Sequence, residues 1–244
     1  MKPTKWEDIL SNIRSESPSH EVTVFKYISN ISLKYSYMYV ETPKAGCSTI
    51  KSTLINAELD EYLDFENFED LHVRQWSPLL DPSRVGPLEK FLDKCRVKFC
   101  FVRNPYSRIL SCYLNKIAPL EGWRRKQIID YYEMHPDAGI TFKQFVDFVC
   151  HQDYPDMDIH WRLQYDLLCA RNIDYDFIGK FENLDVDLNN VLSQIGIDAA
   201  KYYRKEDRHS TKAESLLDEF YDSEYKDKIY AKFFFDFEAY DYSR

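Results

Sequence analysis

The sequence predicts an α/β fold of three layers, with a mainly parallel central sheet flanked by helices. Three observations carry that expectation. Short β-type runs alternate with helical patterns along the chain. One of them, VKFCFV at 97–102, is apolar throughout, as a strand buried on both faces requires. A second, at 34–40, passes through a short loop straight into a helical pattern at 48–58.

The elements follow in order. Residues 1–30 read as a polar N-terminal extension with one short helix, and residues 31–244 as a single domain. KYSYMYV at 34–40 is tyrosine-rich and ends in Val40, a strand signal. TPKAGCST is a loop, after which Ile50, Leu54 and Ile55 recur at helical spacing. Residues 60–96 are acidic and then broken by Pro78, Pro82, Gly86 and Pro87, which predicts loop with short helices. After the 97–102 strand, Asn104 suits an N-cap and Pro105 a first helical turn. Helical patterns recur near 124–133, 141–151, 184–195 and 214–232, and YDFIGKF at 175–181 reads as a further strand. The tail FFFDFEAYDY at 233–242 interleaves aromatics with Asp and Glu, so it is expected to pack on the core rather than to stack on bases.

Composition excludes several functions. The net charge is −9, against the basic face that a phosphate-backbone binder needs, so no nucleic acid is expected as partner, nor a long polyanion as substrate. No run of about eighteen apolar residues occurs, so no membrane span is expected. The first residues lack the apolar stretch of a signal peptide. Cys47, Cys95, Cys100, Cys112, Cys150 and Cys169 form no CxxC pair, and CHQDYPDMDIH at 150–160 fits no zinc or calcium template, so no metal is expected. Together these features predict a reduced, cytoplasmic protein.

Two segments carry chemistry. At Pro43–Thr49 a strand runs through a tight loop into a helix start, where unpaired N–H groups and the helix dipole favour an anion. Lys44 adds a cation; Ser48 and Thr49 add hydroxyls. The arrangement is P-loop-like in its physics, but Lys44 precedes Gly46, and no Lys-Ser/Thr pair stands ready for Mg²⁺. The ordinary alternative is a polar loop with Ser48 as a helix cap. At the second segment, Arg103 follows the end of an apolar strand, where ligands bind in open α/β sheets. On the helix behind it, Ser107, Arg108, Ser111 and Asn115 share the face opposite Tyr106, Ile109, Leu110 and Tyr113. Ser111 lies roughly 9 Å along that helix, near enough for a long Arg103 side chain and the hydroxyl to meet on one phosphate. A polar face of this kind is more commonly just solvated.

TPKAGCSTIKSTL after one strand and FVRNPYSRILSCYLNK after another together resemble the sulfotransferases, in particular the carbohydrate O-sulfotransferases of the chondroitin 4-O, HNK-1 and heparan sulfate 2-O branches. HWRLQYDLLC at 160–169, YDFIGKFENLDVDL at 175–188 and RHSTKAE at 208–214 extend the resemblance over most of residues 36–240. It implies 3′-phosphoadenosine 5′-phosphosulfate (PAPS) as donor, leaving as adenosine 3′,5′-bisphosphate (PAP), and a hydroxyl acceptor on a sugar or glycoconjugate. By the match, Lys44, Ala45, Gly46, Cys47, Ser48 and Thr49 would wrap the 5′-phosphosulfate. Arg103 and Ser111 would hold the 3′-phosphate, and Arg208, Ser210, Thr211 and Lys212 would form the late loop that closes over the nucleotide. The chain departs from the Golgi members in lacking their membrane anchor, which implies a soluble, bacterial-type relative, and its negative charge argues against a polysulfated acceptor.

Sulfuryl transfer needs stabilisation of charge on the leaving oxygen and a base for the acceptor proton. Lys44 is the expected charge stabiliser. His72, between the two motifs, is the first-choice base by resemblance to the heparan sulfate 2-O branch. His160 is the alternative, and Glu41, Glu69 and Asp70 stand behind them. His135 and His151 read as structural. Rival readings are an ATP-dependent small-molecule kinase with an atypical loop and a non-catalytic nucleotide-binding protein. The loops at 60–95 and 118–160 are expected to shape the acceptor pocket.

Overall fold

The strands form one four-stranded sheet, in the order β1 (Ser29–Ser32), β2 (Tyr37–Val40), β3 (Val97–Val102), β4 (Phe177–Lys180). β1 runs antiparallel to β2, while β2, β3 and β4 are parallel neighbours, with Tyr39 opposite Phe99 and Phe99 opposite Phe177. The α/β class and the mainly parallel sheet flanked by helices therefore hold. The computed structural model describes residues 13, 15, 19–63, 65, 70–86, 88–203 and 211–244. They fall into two units, one of Met1–Val102 with Asp166–Glu206, the other of Arg103–Tyr165 with Asp207–Arg244.

In the first unit the helices are α1 (His20–Ile28), α2 (Cys47–Leu59), α3 (Leu88–Leu92), α7 (Gln164–Leu167, shared with the second unit's end), α8 (Leu184–Ile195) and α9 (Ala199–Tyr202). Alternation along β2 and β3 points Tyr37, Tyr39, Phe99 and Phe101 to one face, where Ile50 and Leu54 of α2 and Leu188, Val191 and Leu192 of α8 bury them. The rings of Tyr39 and Phe99 stack with centroids 5.0 Å apart, and Phe101 lies over the backbone of β4. A Cβ on Gly179 would stand 2.3 Å from the Phe101 ring, so only glycine fits opposite that phenylalanine.

In the second unit, α4 (Pro105–Cys112), α5 (Trp123–Tyr131), α6 (Phe142–His151), α10 (Leu217–Phe220), α11 (Ser223–Lys232) and α12 (Phe234–Ala239) surround an aromatic-rich core. Asn104 caps α4 by accepting from the Tyr106 N–H, and Pro105 occupies the first turn, as the sequence predicts. The helix then widens into a π-turn at Tyr113–Ile117. The tail docks as expected, with Phe233, Phe237 and Tyr240 buried.

Three expectations needed correction. The strand placed at 34–40 begins only at Tyr37, because Leu33–Ser36 form the turn of a hairpin and Ser36 takes a left-handed φ of 57°. Its partner β1, SNIS, lies across the expected boundary at residue 30, where the sequence carries no strand signal. It is short and polar, and its burial comes from elsewhere: Ile31 bridges Leu80, and the Arg74 guanidinium donates to Asn30 Oδ1 at 2.6 Å. The helix read over 214–232 is broken. A 3₁₀ turn at Ala213–Leu216 leads into α10, and α11 starts afresh because the Asp222 carboxylate accepts from the Tyr225 N–H at 3.0 Å. Between them Tyr221 is extended and buries its ring, donating its hydroxyl to Tyr106 O at 3.0 Å.

Candidate active site

The loop between β2 and α2 is built for a tight reversal. Ala45 N–H donates to Thr42 O at 3.1 Å, and Lys44 and Gly46 both adopt left-handed backbone, with φ of 71° and 79°. Gly46 is the N-cap of α2, and no side chain caps the helix. A left-handed cap opening onto uncapped helix amides is the backbone form of an anion cradle. A Cβ on Gly46 would stand 3.0 Å from the end of the Leu184 side chain, and the left-handed φ is what favours glycine here. Ser48 is not the cap: its hydroxyl lies 3.4 Å from His72 Nε2. The predicted loop residues Lys44, Ala45, Gly46, Cys47, Ser48 and Thr49 thus sit together at one helix end.

His72 stands against this loop, although it comes from the irregular stretch after α2, in the 3₁₀ turn Asp70–His72. One ring edge faces Ser48, and Cys47 hydrogen-bonds the same imidazole. The other nitrogen, Nδ1, is 3.7 Å from Glu41 Oε2. Glu41 is buried at the end of β2, and its Oε1 accepts from the fully buried Lys51 ammonium at 3.2 Å. Burial pushes the imidazole pKa down, but the Cys47 hydrogen bond and the negative charges of Cys47 and Glu41 outweigh it, and the ring sits above its ordinary value. Burial pushes the Cys47 thiol up, yet His72 and Lys44 hold it below the usual thiol value.

In the second unit Arg103 follows β3 directly and is 3% exposed. Its backbone is held from both sides by one glutamine: Arg103 N–H donates to Gln164 Oε1 and Gln164 Nε2 donates to Arg103 O, each at 2.8 Å. Gln164 N–H in turn donates to Asp236 Oδ2 at 2.9 Å, and Tyr165 N–H to Asp236 Oδ1 at 2.8 Å. The guanidinium meets Ser107 Oγ at 3.1 Å and the Glu214 carboxylate at 2.6 Å. Ser111 is buried and accepts from the Thr211 hydroxyl at 3.0 Å. The α4 face that reads as solvated is therefore buried: Ser107, Arg108 and Ser111 are 1%, 1% and 2% exposed. Arg108 is consumed in structure, donating to the carbonyls of Arg162 and Ile159.

The segment 211–214 thus touches both residues of the second motif, Ser111 through Thr211 and Arg103 through Glu214. Lys212 sits between them in left-handed backbone, while Arg208 and Ser210 lie outside the described residues, as does Glu69. His160 belongs to the second unit, where its Nδ1 lies 2.6 Å from Asp158, itself paired with Arg124. Burial pushes the Asp158 carboxyl up, but the His160 hydrogen bond and charge pull it down to about 2. Gln164, Asp236 and Glu214 are site residues that sequence reasoning misses. Gln164 and Glu214 do fall inside the segments HWRLQYDLLC and RHSTKAE, but no local pattern gives them a role. Among the described residues, no group of three or more His, Cys, Asp or Glu side chains can hold a metal ion, and no helix is long and apolar enough to cross a membrane.

The family model described as "Sulfotransferase family" matches residues 29–243. Carbohydrate sulfotransferase 14 of Danio rerio is 28% identical over 76% of this chain and 52% of its own length. Carbohydrate sulfotransferases 9 and 8 of Homo sapiens are each 30% identical, over 79% and 83% of this chain and 47% and 50% of their own. The chain spans about half the length of the curated relatives it matches. No solved structure matches significantly.

Proposed function

The chain belongs to the sulfotransferase family, and on that premise we propose that it moves the sulfuryl group of PAPS to a hydroxyl of a carbohydrate or glycoconjugate acceptor. What supports the reading is the imidazole of His72 set against Cys47 and Ser48 of the loop that leads into α2. A base beside an anion cradle is the pairing that hydroxyl attack on a bound sulfuryl group requires. The relatives carry the acceptor class in their names, "Carbohydrate sulfotransferase".

PAPS supplies the transferable sulfuryl group and two anionic ends. The residues suit such a group: the cradle has no side-chain cap of its own, and the buried Arg103 guanidinium already holds a carboxylate. Lys44 and the first N–H groups of α2 would hold the 5′ end, and Lys44 would offset charge on the leaving oxygen. Arg103 and Ser111 would hold the 3′-phosphate, with Gln164 fixing the Arg103 backbone from which the guanidinium extends. Thr211 and Lys212 would contribute to the loop over the nucleotide, while Arg208 and Ser210, expected in the same loop, lie outside the described residues. His72 accepts the acceptor proton at Nε2, the nitrogen turned toward the loop.

The test is a melting curve with PAP in EDTA, run beside one with ATP and Mg²⁺. A ligand that binds only the native state at about 100 times its Kd stabilises by roughly 2.7 kcal/mol. A rise with PAP that Arg103→Ala abolishes, together with sulfuryl transfer from PAPS to a glycan panel, supports the reading. A rise with ATP and Mg²⁺ alone overturns it in favour of a kinase.

A further inference from the structure

We propose that Glu41 is the positioning residue for His72, holding its Nδ1 edge so that Nε2 faces the anion-binding loop, with Lys51 fixing Glu41 from behind. This assignment rests on the sulfotransferase reading above. Glu41 is 2% exposed at the end of β2 and Lys51 is fully buried on α2. Their contact at 3.2 Å accounts for Oε1 alone. Oε2 has no hydrogen-bond partner, and a buried carboxylate oxygen left in that state is costly. The polar group it faces is His72 Nδ1, at 3.7 Å.

That distance is too long for a hydrogen bond and short enough for an ion pair. Three elements meet here: the end of β2, the first turns of α2 and the 3₁₀ turn at Asp70–His72. An imidazole with a carboxylate at Nδ1 keeps its proton on that nitrogen and presents Nε2 as the acceptor. As the acceptor proton arrives, Glu41 stabilises the imidazolium. Lys51 tethers Glu41 through Oε1, so Glu41 orients the base without touching the reacting atoms. The other titratable groups facing this ring are Cys47 and Lys51 of α2, and Arg74 also feels the Glu41 charge.

The experiment follows the His72 ring by NMR titration and the pH dependence of turnover, in the wild-type protein and in Glu41→Gln. The His72 pKa is expected to fall in Glu41→Gln, with the acid limb of kcat moving down by the same amount. kcat drops about tenfold or more, while the PAP-induced rise in melting temperature is unchanged. In a His72→Ala background, Glu41→Gln is expected to cost no further activity. If Glu41→Gln does not fold, Glu41→Gln with Lys51→Met removes the stranded ammonium and carries the same readouts. An unchanged His72 titration overturns the assignment, whatever happens to activity. Additive losses in the His72→Ala background overturn it as well. A wild-type protein that transfers no sulfuryl group but shows the Glu41-dependent titration overturns the sulfotransferase reading while supporting the pairing.

Discussion

The Arg103 guanidinium donates to one oxygen of Glu214 from two nitrogens, Nε at 2.9 Å and Nη2 at 2.6 Å. The arginine is buried and the glutamate side chain is 44% exposed, so the pair is fixed on one side and free to swing on the other. A carboxylate thus sits on the cation proposed to hold the 3′-phosphate, and a nucleotide bound there would have to displace it. Glu214→Gln is expected to tighten PAP binding roughly two- to fivefold, the worth of a partly exposed ion pair at about 0.5–1 kcal/mol. Calorimetric titration reads this directly. Weaker binding in the variant would mean that Glu214 supports the nucleotide rather than competing with it.

Gln164 closes a two-way amide clasp on the Arg103 backbone, both bonds buried. Gln164→Leu leaves a buried N–H and a buried C=O unpaired, so it is expected to cost about 1–3 kcal/mol. Urea unfolding should show the loss in the midpoint with little change of slope. PAP affinity should fall too, since the guanidinium loses its anchored base. A stable variant that binds PAP normally would remove Gln164 from this role.

Asp236 titrates in an unusual range. Burial pushes its carboxyl up to about 6, against the pull of Arg108 and of the N–H groups of Tyr165 and Gln164. The folded pKa lies above the unfolded value, so this group's contribution is full below about pH 4 and is lost as pH rises through about 6. Wild type should therefore lose stability relative to Asp236→Asn between pH 4 and 7, by an amount on the order of 2–3 kcal/mol. Parallel stability curves for the two proteins would rule out the raised value.

His72 carries the pH prediction for turnover. Its pKa is raised, so the acid limb of the rate profile should lie above about 6.5, the unperturbed histidine value. His72→Ala should lower kcat by roughly 10²–10⁴-fold and leave PAP-induced stabilisation intact. Near-normal turnover would pass the role of base to another group, with His160 beside Asp158 next to be tested.

Much of this was legible because the signals are local. β3 shows itself as six residues, VKFCFV, and α4 by the Asn104 cap and Pro105 beside it. The loop at 43–49 is marked by a strand signal, a lysine and a glycine within a few residues, and Arg103 and Ser111 stand at a fixed spacing on one segment. β1 is illegible because SNIS has a single apolar residue and only four positions, and only pairing with β2 makes it a strand. The break at Asp222 was missed because one capping bond and one buried tyrosine outweigh a helical pattern that otherwise runs on.

The sequence by itself determined the α/β class, the tight loop that opens α2 and the spacing of Arg103 and Ser111, since each depends on neighbours a few positions apart. Only the tertiary structure decided what those residues meet. Arg103 is clasped by a glutamine 61 positions away and covered by a glutamate 111 away. Gln164 is anchored by an aspartate a further 72 along the chain. His72 faces Glu41 and Cys47 because an irregular stretch folds back over a strand end. Buried polar groups must find partners wherever the packed chain supplies them, and no periodicity in the sequence records which ones those are.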